Sequence, residues 1–103
     1  MYPELSTAEL ETRLKEGETV NLVDVRETDE WEAGHIKEAR SIPLSELLER
    51  LGELRQGDRE IVLICRSGGR SGRACDYLHA QGYNVVNVTG GMLAWSGDVA
   101  YGE

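Results

Sequence analysis

Residues 61–64 read Ile-Val-Leu-Ile, apolar at every position, and the run stops at Cys65. A strand with one wet face alternates polar and apolar side chains. An unbroken apolar run instead points to a strand buried on both faces, as in a parallel sheet covered by helices. "VNLVDV" (20–25) and "YNVVNV" (83–88) read as two further strands.

Helical signals lie between these runs. In "LSTAEL", Ser6 and Glu9 form a capping box and Leu5 and Leu10 occupy the positions of a hydrophobic staple. Leu10 and Leu14 then share a face until Gly17 stops the helix. "TDEWEAG" (28–34), with Thr28 as its cap, and "SELLERLGEL" (45–54), after Pro43, are expected to be helical. A longer helix is expected from about Gly69 to Gln81, with Ala74, Cys75 and Leu78 on one face and Gly82 ending it. A short one at "GMLAW" (91–95) closes the chain. Strands alternating with helices predict an α/β fold, its central, mainly parallel sheet flanked by helices on both faces.

Length and composition limit what such a fold can do. The 103 residues suit one domain, 1–103, with one modest core, and no repeat or linker divides them. With 40% hydrophobic and 29% charged residues the chain reads as globular rather than disordered. No apolar stretch approaches the roughly 20 residues that cross a bilayer, and "MYPELSTAEL" carries no export signal. Two cysteines make no disulfide framework, so a reducing cytoplasm is the expected location. The net charge of −8 argues against nucleic acid or an anionic membrane as partner.

The segment after Cys65 departs from this acidic background. Three arginines, three glycines and two serines fill residues 66–73. Cys65 is expected at the C-terminal end of a central strand, the edge where open α/β sheets bind ligands. Gly68 and Gly69 free the backbone to turn successive N–H groups toward one point, an anion-binding nest at a helix N-terminus. Arg66, Arg70 and Arg73 add formal charge, and all of these features favour thiolate over thiol. A cysteine after an apolar strand is by itself an ordinary core residue. The coincidence of nest, helix start and arginines marks Cys65 as reactive, with a local positive site that could accept a small anion.

Four segments in order resemble the rhodanese-like sulfurtransferases of single-domain type: "LVDVRETDEWEAGHI" (22–36), "ARSIPL" (39–44), "CRSGGRS" (65–71) and "TGGMLAW" (89–95). The chain departs from that pattern at Lys37-Glu38, where many members carry Pro-Gly, and in its tail "SGDVAYGE". The resemblance implies that Cys65 is the nucleophile and takes up sulfane sulfur as a persulfide. It further implies that backbone N–H groups of Arg66, Ser67, Gly68, Gly69, Arg70 and Ser71 hold the outer sulfur, while Arg66 and Arg70 meet the donor anion. The implied partners are a small anionic sulfur donor such as thiosulfate and a cyanide or thiol acceptor, with a protein acceptor left open. A pre-formed thiolate needs no general base.

The remaining candidates take structural readings. Cys75 is expected to pack, His35 to fix a turn, and His79 to lie at the surface. Asp24, Arg26 and Glu30 are read as a polar cluster supporting the loops. Gly90 and Gly91 precede a helix and could cradle a phosphate; Trp95 reads as core. No His, Cys and carboxylate set has metal-ligand spacing, and no cofactor is expected. Two other functions stay open beside sulfur transfer. One is phosphatase or arsenate reductase chemistry, since cell-cycle phosphatases of related fold also use a Cys loop ending in Arg. Their loop is one residue longer than the one from Cys65 to Arg70. A non-enzymatic persulfide carrier is the other alternative.

Overall fold

The computed structural model describes residues 2–102. In chain order the elements are β1 (Glu4–Ser6), α1 (Thr7–Lys15), β2 (Asn21–Asp24), α2 (Thr28–Glu32) and β3 (Arg40–Ser41). A 3₁₀ segment (Leu44–Glu53) follows, then β4 (Ile61–Ile64), α3 (Gly69–Ala80), β5 (Val85–Thr89) and α4 (Gly91–Ala94). The five strands form one sheet in the order β1-β5-β4-β2-β3, and every neighbouring pair is parallel. The apolar run 61–64 is therefore the central strand, as its composition predicts. Among the described residues no helix is long and apolar enough to cross a membrane.

The two faces of the sheet carry separate core layers. Ile61, Leu63 and Cys65 join Val23, Val85, Ala74, Cys75 and Leu78 on the α3 side. Val62, Ile64, Leu22, Val86 and Val88 meet Leu5, Leu10 and Ile36 on the other. The period-2 alternation of a strand sorts odd from even residues in this way, so both sets must be apolar when both faces are covered. Burying each such Val, Leu or Ile fully contributes about 1.5–3 kcal/mol.

Capping sets where the helices begin. The Ser6 hydroxyl accepts from the Glu9 N–H at 3.1 Å and the Glu9 carboxylate accepts from the Ser6 N–H at 3.1 Å, the expected capping box. Thr28 does not cap α2. The helix starts one residue earlier, with Glu27 extended at the cap and its N–H donating to Glu30 Oε1 at 3.1 Å. The helix expected over 45–54 is instead a 3₁₀ segment broken at Arg50 (φ −120°, ψ 23°). Leu44, Leu47, Leu51 and Leu54 all turn to the core, at successive intervals of three, four and three. A 3₁₀ turn aligns residues three apart, and the irregular Arg50 absorbs the extra residue in the middle interval. The sequence reading missed β1 and β3, three and two residues long, because so short a stretch has no period to detect.

Register brings the loops together. Asp24 pairs with Ile64, so β2 and β4 end level and the segments leaving them emerge side by side. Asn87 of β5 pairs with Leu63, two residues before Cys65 and on the same face of the sheet.

Candidate functional site

Cys65 continues the odd-numbered face of β4 past the end of the strand, so its thiol points beneath the start of α3. Gly68 has φ +100°, a left-handed conformation that lets the chain double back into the helix. This turn aims the Gly68 N–H at Cys65 Sγ, 3.1 Å away. Ser71, in the first turn of α3, places its hydroxyl 3.3 Å from the same sulfur. Burial alone would push the thiol up. Hydrogen bonds from the Ser71 hydroxyl and from the Ser71, Gly68 and Ser67 N–H groups outweigh it and hold the thiol below its usual range.

Ser71 is buried and has a second neighbour. Its Oγ lies 2.6 Å from Asn87 Oδ1, and Asn87 Nδ2 donates to the Gly68 carbonyl at 3.3 Å. That second bond fixes which end of the amide faces the serine. The sequence reading missed Asn87, although a polar residue within the apolar run of β5 was the available signal.

The three arginines do not act as one cationic bank. Arg66 and Arg73 are exposed and form no ion pair among the described residues. Arg70 is engaged: its Nη1 and Nη2 donate to Glu30 Oε1 and Oε2 at 2.7 and 2.8 Å. The Arg70 hydrogen bonds hold the Glu30 carboxyl down at about 2 against the opposing effect of burial. The same bonds raise Arg70, and the nearby Cys65 charge adds to the effect. The acidity of Cys65 thus rests first on hydrogen bonds rather than on the formal charges that its sequence advertised. Glu30, grouped with Asp24 and Arg26 from sequence, reaches the cysteine loop. Asp24 and Arg26 form their own buried pair, with Arg26 Nη2 2.8 Å from Asp24 Oδ2 and 2.8 Å from the Gly34 carbonyl.

The Gly90-Gly91 turn braces the loop from the other side. The Met92 N–H donates to the Cys65 carbonyl and the Leu93 N–H to the Arg66 carbonyl, both at 2.9 Å. These donors are therefore spent on backbone and make no phosphate cradle. A Cβ on Gly91 would lie 2.5 Å from the Cys65 oxygen, so only glycine permits this approach.

Cys75 sits in the core layer under α3, its thiol pushed up to about 12 by burial, with smaller contributions from Asp76 and Cys65. His35 fixes the turn after α2: its Nδ1 lies 2.7 Å from the Trp31 carbonyl and its ring stacks on Trp31 at 3.6 Å. His79 is exposed and meets the Tyr2 ring edge-on at 6.0 Å. Trp95 is half-buried against the core layer that contains Leu10, and its Nε1 donates to the Asp98 carbonyl at 3.1 Å. Among the described residues no group of three or more His, Cys, Asp or Glu is placed to hold a metal ion.

Known proteins resemble this chain in sequence and in fold. A protein of Bacillus subtilis, YtwF, is 44% identical over 95 residues, covering 92% of this chain and 91% of its own. The sulfurtransferase of Allochromatium vinosum is 41% identical over 97 residues, covering 93% and 90%. The crystal structure of a rhodanese-like domain protein from Staphylococcus aureus superposes with a TM-score of 0.88 at 34% identity, covering 98% of this chain and 99% of that one. The pattern of the rhodanese-like domain matches residues 6–98. With the match spanning nearly all of the sheet and the whole cysteine loop, this chain belongs to the rhodanese-like domain family.

Proposed function

We propose that this chain is a sulfurtransferase whose Cys65 takes sulfane sulfur from thiosulfate, or from a related persulfide donor, and passes it to cyanide or a thiol. The observation that carries this reading is the Cys65 sulfur held by the Gly68 N–H at 3.1 Å and the Ser71 hydroxyl at 3.3 Å, with its thiol lowered. The sulfurtransferase name of the Allochromatium vinosum relative supports sulfur transfer as the class of chemistry.

The thiolate attacks the outer sulfur of thiosulfate. A bond forms from Sγ to that sulfur, the donor's S–S bond breaks, and sulfite leaves with the electron pair. No proton has to move, which suits a site whose two histidines are used elsewhere. The persulfide carries its charge on the outer sulfur, where backbone N–H groups from Arg66 to Ser71 are the available donors. Arg66 meets the donor anion with a guanidinium that forms no ion pair among the described residues, and Arg70 does so with its charge already shared with Glu30. Cyanide then attacks the outer sulfur, thiocyanate departs, and the thiolate returns.

The loop spacing separates this reading from phosphoryl chemistry. Four residues lie between Cys65 and Arg70, and a ring that short suits one sulfur atom better than three equatorial phosphoryl oxygens with an in-line leaving group. The test is intact mass before and after thiosulfate, then after cyanide. The protein should gain one sulfur and lose it again, with turnover when both are supplied. Loading without turnover would mark a carrier. Cys65-dependent hydrolysis of an aryl phosphate with no sulfur adduct would reject the proposal.

A further inference from the structure

The fork between Glu30 and Arg70 joins residues 40 positions apart, across the gap between α2 and the cysteine loop. Each partner's side chain keeps somewhat under a third of its surface exposed, so the pair stands at the edge of the site rather than beneath it. Glu30 is itself held in place, because its Oε1 also accepts from the Glu27 N–H at the start of α2. Two parallel N–H···O bonds from a planar guanidinium to a pre-set carboxylate fix both charge and direction. Arg70 is the one loop arginine with an ion pair; Arg66 and Arg73 have none among the described residues. Glu27 also lies near enough for its charge to act on Arg70.

For an approaching anion this changes the sign of the problem. A dianion gains from Arg70 but is repelled by the Glu30 carboxylate bonded to that same guanidinium, inside a chain of net charge −8. The penalty scales with the ligand's own charge, so a donor with less charge at its reacting end is disfavoured less. We propose that Glu30 is a positioning residue for donor selection: by occupying Arg70 it turns the Cys65 site away from dianionic thiosulfate and toward low-molecular-weight alkyl persulfides. This rests on the reading of Cys65 as a sulfur acceptor and names its donor class. In the step itself Cys65 thiolate attacks the outer sulfur of R–S–SH. The donor's S–S bond breaks, R–S⁻ leaves with the electron pair, and Cys65 becomes the persulfide, with no outside oxidant or reductant.

The experiment measures Cys65 loading from thiosulfate and from an uncharged-chain alkyl persulfide on one preparation, for the unaltered protein, Glu30→Gln, Arg70→Gln and the double variant. Glu30→Gln should raise the ratio of thiosulfate to persulfide efficiency about tenfold, and added salt should shrink that gain. The shift should be lost when Arg70 is already Gln, since Glu30 acts through it. A ratio unchanged in Glu30→Gln would make the pair purely structural, and a shift of the same size when Arg70 is already Gln would mean that Glu30 does not act through Arg70; either overturns the proposal. A second measurement covers the case in which Glu30→Gln does not fold. In the unaltered protein thiosulfate loading should stay flat or rise with ionic strength, and a steep fall would show that Arg70 is not neutralised. Absence of loading from either donor would overturn the sulfur-acceptor reading itself. Loading with unaltered selectivity overturns only the role of Glu30.

Discussion

Ser71 Oγ lies 2.6 Å from Asn87 Oδ1 and 3.3 Å from Cys65 Sγ, yet a hydroxyl has one proton to give. With Cys65 as thiol, the serine donates to Asn87; with Cys65 as thiolate, donation to sulfur costs it the shorter bond. Asn87 thus competes with the thiolate for a proton that helps to make the thiolate. Ser71→Ala should move the midpoint of Cys65 alkylation upward by about one pH unit, because it removes a buried hydrogen bond to a charge. Asn87→Ala should move it downward. Iodoacetamide rates against pH read both, and equal shifts in one direction would contradict the competition.

The two cysteines should separate cleanly. Cys65→Ser should abolish sulfur loading, because a hydroxyl stays un-ionised at neutral pH and binds sulfane sulfur poorly. Cys75→Ser should keep most of the activity but lose about 1–3 kcal/mol of stability, since it places a hydroxyl in an apolar layer. Urea unfolding beside a loading assay checks both, and comparable activity loss in the two folded variants would point to a two-thiol mechanism.

Gly91→Ala should damage the loop from outside it. Its φ of +57° and the 2.5 Å approach to the Cys65 carbonyl leave no space for a Cβ, so the turn must shift and the Met92 and Leu93 bonds with it. A stability loss of about 1–3 kcal/mol and a loading rate reduced roughly tenfold or more are expected. Gly17→Ala, whose added Cβ meets nothing within 4 Å, controls for the strain of positive φ alone.

Acid should release the Glu30–Arg70 fork. Glu30 titrates at about 2 when folded, below its ordinary 4.5. A depressed carboxyl contributes stability above its unfolded value and loses it as pH falls through the folded one. Tm should therefore decline between about pH 4.5 and 2, and the decline should be shallower in Glu30→Gln. Parallel Tm curves for the two proteins would show that the pair contributes nothing to folding.

Local pattern was enough to specify the frame. The unbroken run 61–64 determined a central strand buried on both faces, and the placement of Cys65 at its end followed. Ser6 and Glu9 marked the start of α1, and Gly68 marked the turn into α3, because caps and positive φ are decided within a few residues. The strands β1 and β3 were not legible, since their pairing comes from neighbours far along the chain. The break at Arg50 also had to await the core that the flanking leucines fill. At the site, the sequence determined that a thiol would meet a glycine-rich loop, and it showed which arginines were present. Which of them is neutralised, and which amide competes with the thiolate for the Ser71 proton, was decided only in three dimensions. Glu30 meets Arg70 because β2 and β4 end level, and Asn87 meets Ser71 because β5 pairs in register with β4 under α3. Hydrogen bonds and ion pairs act over a few ångströms, so residues distant in the chain acquire these roles only when sheet register brings them together.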